Sequence, residues 1–156
     1  MVRARIAEIV NGEAVYGTVL VAGLIYAFSL YGKVTWALFT TTLGTVVVFW
    51  IGHVYAEIVA NRTATFRVAV REAFGRSAGL LWAMIVPLGV MLLAAFGALP
   101  DSAAVTIALW AAVVILGILG WFAVAARRKE WWARLFGALL TAALGFAIIA
   151  LKALIH

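Results

Sequence analysis

His53 and Glu57 are the residues whose types and spacing first point to chemistry. They stand four apart, so on a helix their side chains can touch. An imidazole beside a carboxylate is a workable proton relay, because free histidine titrates near ~6.5. Thr42, Thr45 and Phe49 precede them at steps of three or four, which places all five on one helical face. The hydroxyls of Thr42 and Thr45 are the groups expected to line a hydrated file above the histidine. The face starting at Glu13 and running through Tyr16, Leu20, Gly23 and Ala27 is the natural partner. An antiparallel pair of helices joined at Gly32-Lys33 would bring Glu13 and Tyr16 to the depth of His53 and Glu57. The expected product is a polar cluster of Glu13, Tyr16, His53 and Glu57.

Three readings compete for that cluster. It can be polar glue between helices, worth ~0.6 kcal/mol per hydrogen bond in a bundle. It can be a stretch of an ion or proton pathway, the usual role of ionisable groups within spans, where a mid-bilayer charge costs at least ~2.5–3.5 kcal/mol. His53, Glu57 and Glu13 also supply nitrogen and oxygen donors of the kind that hold a metal, which makes them candidate ligands. Haem is disfavoured, since the only other histidine, His156, falls at the opposite face of the membrane. No organic cofactor is expected. Catalytic signatures are absent: no G-x-S-x-G, no H-E-x-x-H and no paired intramembrane aspartates. An enzyme is therefore not expected. Neither the glycine-rich filter of a potassium channel nor the arginine-rich span of a voltage sensor is present. Asp101, after Pro100 in a short outer loop, is expected to be a turn residue or the cap of the next helix.

The elements that must position these residues follow from composition. Hydrophobic residues make up 67% of the 156-residue chain and charged residues only 12%, against roughly 45–50% and ~25% in soluble domains. Mean hydropathy is +1.16. Lipid is the solvent that suits such a chain. Five apolar runs stand out, at about 14–31, 34–60, 80–99, 103–126 and 135–155. The expected fold is an all-α integral membrane protein, a single domain of five transmembrane helices. Pro87 inside the third run is tolerable in such a helix. Between the second and third runs, Phe66, Val70 and Phe74 recur every four residues beside Arg67 and Arg71. That pattern predicts an amphipathic segment, lying in the cytoplasmic interface or extending the second span.

Charge sets the orientation. With the N-terminus inside, cytoplasmic segments hold Arg3, Arg5, Arg62, Arg67, Arg71, Arg76, Arg127, Arg128, Lys129 and Arg134. Outer segments hold only Lys33 and Lys152, so ten of twelve basic residues are inside. The positive-inside rule then fixes the N-terminus in the cytoplasm and the C-terminus outside. Trp131 and Trp132 fall at the inner interface, Tyr31 and Trp36 at the outer one. The net charge of +6 thereby reads as topology, and no nucleic-acid partner is expected. The Ala/Arg/Val-rich style of the chain points to the inner membrane of a bacterium.

Gly137, Thr141 and Gly145 form a small-xxx-small ladder in the fifth run, and Gly117 and Gly120 lie in the fourth. Such ladders let helix backbones approach closely, within one chain or between copies. Five helices enclose little space, so a pore is expected to need a homo-oligomer or a narrow file within one chain. The function expected from the sequence is a small ion or proton channel or transporter. The alternatives are an accessory or assembly subunit of a membrane complex, or a membrane metal-binding protein. The absence of cysteine excludes disulfides, thiolate metal sites and cysteine nucleophiles.

Overall fold

A computed structural model describes residues 12–30, 36–61, 65–126 and 130–155. All regular structure among them is helical: α1 (Gly12–Ser29), α2 (Trp36–Ala60), α3 (Phe66–Ala95), α4 (Asp101–Ala125) and α5 (Trp131–Ile155). Each contains an apolar stretch long enough to cross a membrane. Backbone groups in lipid must all find partners within the protein, and only helices and closed barrels allow that. The apolar composition and the exclusive use of helix are therefore one fact seen twice. This is the fold of a multi-pass membrane protein.

The centre of the bundle is α1, α3 and α4, which pack against one another. Val21 and Ile25 of α1, Leu80 and Met91 of α3, and Ala108 and Leu116 of α4 are almost wholly buried. Two helices flank this centre: α2 lies chiefly on α3, and α5 chiefly on α4. Large apolar side chains point outward instead, among them Val48, Ile51 and Val59 on α2 and Phe136, Leu139 and Leu140 on α5. Lipid tails are as apolar as leucine, so nothing drives these groups inward, and small residues take the helix contacts.

Two close approaches show this. A Cβ on Gly17 of α1 would sit 3.0 Å from the Leu80 Cα of α3. A Cβ on Gly120 of α4 would collide with Thr141 Oγ1 and the Gly137 carbonyl of α5. There the Thr141 hydroxyl is shared between the Leu116 carbonyl across the helices at 2.8 Å and the Gly137 carbonyl of its own helix at 2.9 Å. Gly145 meets Leu116 and Val113 in the same seam. The Gly137, Thr141 and Gly145 ladder thus packs against α4 of its own chain.

The largest departure from the sequence reading is the start of α3. The amphipathic segment is neither a separate interfacial helix nor a continuation of α2. It is the first half of α3, which runs unbroken for 30 residues, ~45 Å. Its buried stripe is Ala69, Ala73, Ser77 and Leu80, while Phe66 and Phe74 are exposed. The small-residue stripe continues the packing face of the apolar half, so the helix has no reason to end at residue 79. Asp101 stands in the first turn of α4, whose N-cap is Pro100 without a side-chain capping bond. The preceding chain reverses at Gly97, with φ of 77°. Its N–H bonds the Ala94 carbonyl and that of Ala98 bonds Leu93, closing α3 in a Schellman motif.

Candidate functional site

The consecutive helices α1 and α2 touch over only a short stretch. The space left between them is an open groove of about 340 Å³, lined by Tyr16 of α1 and by Val48, Phe49, Gly52, His53 and Ala56 of α2. At its edge Glu13 of α1 meets His53 of α2, with Nε2 3.3 Å from Oε1. The side chains are 17% and 32% exposed, so the pair is largely withdrawn from solvent. Distance alone makes this an ion-pair approach. The angle does not suit a hydrogen bond, and His53 Nε2 has no protein hydrogen-bond partner. The outer carboxylate oxygen of Glu13, Oε2, is also shielded and unpaired.

Glu57 lies one turn along from His53. Donor atoms of Glu13, His53 and Glu57 lie within 4.8 Å of one another. Glu57 also takes a hydrogen bond from Arg76 Nη1 of α3 at 3.4 Å. Farther along the same helix pair, Asn61 donates to Glu72 Oε2 at 3.1 Å. These two contacts tie the end of α2 to the first half of α3.

The structure therefore brings Glu13, Tyr16, His53 and Glu57 to one place. Tyr16 is about half exposed and lines the groove beside His53. Thr42 and Thr45 are differently disposed. Thr42 is fully buried and donates to Leu38 of its own helix at 2.8 Å. Thr45 donates to Thr41 at 2.7 Å. Their hydroxyl protons are thus engaged by the α2 backbone, and neither residue lines the groove. Arg3, Arg5, Tyr31, Lys33, Arg62, Arg127, Arg128, Lys129 and His156 lie outside the described residues.

Sequence reasoning missed two participants. Arg76 reads as one more basic residue for orientation, yet its guanidinium is the partner of Glu57. Ser77, next in α3, is fully buried with a hydroxyl that has no protein partner. It lies one turn before Leu80, which packs on Gly17, and so at the depth of Glu13. An unpaired buried polar group costs ~1–3 kcal/mol. The amphipathic pattern of residues 66–79 was the available signal: a helix there places residues 69, 73, 76 and 77 toward its neighbours.

No protein-family model, no curated protein and no solved structure matches this chain. Function is thus read from the geometry of its own residues.

Proposed function

We propose that the chain is a small transport protein of the membrane that passes protons or cations through the Glu13, His53 and Glu57 cluster. One observation carries the reading: an imidazole and a carboxylate from different helices, 3.3 Å apart, with shielded atoms that lack protein partners. Ionisable groups inside spans are costly, and those that persist tend to serve ion or proton movement. An imidazole beside carboxylates can pass a proton on through its two ring nitrogens. The groove beside it gives an approach from one side.

In this reading the cluster faces the cytoplasm. The basic segments at that end, including Arg67, Arg71, Arg76 and Arg134, place it inside by the positive-inside rule. The chain then spans the inner membrane of a bacterium with its N-terminus in the cytoplasm and its C-terminus outside. Assembly into a homo-oligomer would complete the route on the outer side, because the bundle centre beyond the cluster is filled by Val21, Ile25 and Met91. The test is proton and cation flux into liposomes across pH 5 to 8. A pH-dependent flux that disappears in both His53→Ala and Glu57→Gln supports the reading. Flux unchanged in both variants rejects it.

A further inference from the structure

Glu13, His53 and Glu57 present one imidazole nitrogen and two carboxylate oxygens to a common point. We propose that these three side chains bind a divalent first-row transition-metal cation, with Glu13 and His53 as the preformed pair and Glu57 closing the site. The proposal rests on the transport reading only in sharing its residues, and it names the class of cation.

Spacing favours it. Bonds of ~2.1 Å at tetrahedral angles put neighbouring donor atoms about 3.4 Å apart. Glu13 and His53 already stand at 3.3 Å. Glu57 lies within 4.8 Å of both, so it has to move in by little more than ~1 Å. Its partner does not prevent this, because the Arg76 contact is long, at 3.4 Å, and the guanidinium side is 65% exposed.

The state of the donors favours it too. Glu13 Oε2 and His53 Nε2 are both shielded from solvent and have no protein hydrogen-bond partner. A metal ligand needs such a free lone pair, and a bound cation removes the cost of leaving it unpaired. Charge agrees, since the cluster holds two carboxylates, of which Glu57 stands against the Arg76 guanidinium. The donor set also selects. Imidazole with carboxylates suits zinc, iron, manganese or nickel, whereas the absence of thiolate disfavours copper(I). Three protein ligands leave a position open, and the groove lined by Tyr16, Gly52 and His53 leads to it. Binding would join α1 to α2, the consecutive pair that touches least.

The experiment titrates Co²⁺ into tag-free, full-length protein in detergent, follows the visible ligand-field bands, and then displaces the ion with Zn²⁺. The expected result is one Co²⁺ per chain, released by one Zn²⁺. His53→Ala and Glu13→Gln should each weaken binding by at least about tenfold. If either variant fails to fold, by helical circular dichroism and gel filtration, Glu57→Gln carries the test, since Glu57 stands outside the preformed pair and the amide keeps the carboxylate's shape. It should weaken binding several-fold. Absence of saturable Co²⁺ binding below ~1 mM in the wild type overturns the proposal. So does binding that is unchanged in every folded variant, which would place the ion elsewhere on the chain. Binding without flux in liposomes sinks the transport reading and leaves the metal site standing. Flux without binding does the reverse.

Discussion

Replacing Gly120 by alanine should separate α4 from α5. The added methyl would fall onto Thr141 Oγ1 and the Gly137 carbonyl, and 2.9 Å from the Gly137 carbonyl carbon. Two of those three atoms are backbone, so no side-chain rotation relieves the clash. The helices must move apart, and overpacking of that kind costs ~1–3 kcal/mol. Parting them also strains the Thr141 bond to Leu116, which adds about 0.6 kcal/mol and up to ~1.7. Helix propensity opposes both, since alanine exceeds glycine by ~1 kcal/mol in a helix interior. The net expectation is a loss of ~1–3 kcal/mol. Unfolding of purified protein in mixed micelles, driven by SDS and followed by circular dichroism, measures it. Gly23→Ala and Gly44→Ala are the controls, because nothing lies within 4 Å of a Cβ at either position. They should be neutral or stabilising by up to ~1 kcal/mol. A Gly120→Ala protein as stable as wild type, or more so, would refute the close α4–α5 seam.

Two further outcomes are expected. Thr141→Val removes the interhelical hydroxyl bond at nearly constant volume, and should cost ~0.6–1.7 kcal/mol in the same unfolding assay; no loss would mean the bond is not formed. The chain has no cysteine, so single cysteines report topology directly. Thr65→Cys, before α3, should react with an impermeant maleimide only from the cytoplasmic side, and Ser102→Cys, in the first turn of α4, only from outside. The opposite pattern would invert the orientation proposed from basic residues.

Hydropathy was enough to find the five helices of the described residues, because a membrane leaves the backbone almost no other choice. It located the helix ends less well. Hydropathy falls across Arg67, Arg71 and Arg76, although the helix does not, and α3 therefore begins at Phe66 and not near residue 80. Choosing its buried face by size also misleads in lipid. Phe66 and Phe74 form the visible apolar stripe, but Ala69 and Ala73 are the buried residues, and Phe74 makes an edge contact with Trp50. The meeting of Glu13 with His53 followed from helix length and a short connection, a matter of depth alone. Which donor would meet Glu57 was not legible. Arg76 is 19 residues away, and its reach depends on how α2 and α3 cross. The intrahelical bonds of Thr42 and Thr45 are rotamer choices that spacing does not encode.

Flux through the Glu13, His53 and Glu57 cluster is the central claim, and it has a direct measurement. Purified wild type and His53→Ala are reconstituted side by side in liposomes, and proton and cation uptake is recorded at each pH from 5 to 8. A pH-dependent flux in the wild type that is lost in the variant is the expected result. No flux in the wild type under any gradient contradicts the claim, and would leave the cluster as interhelical packing in an accessory subunit of a larger membrane complex.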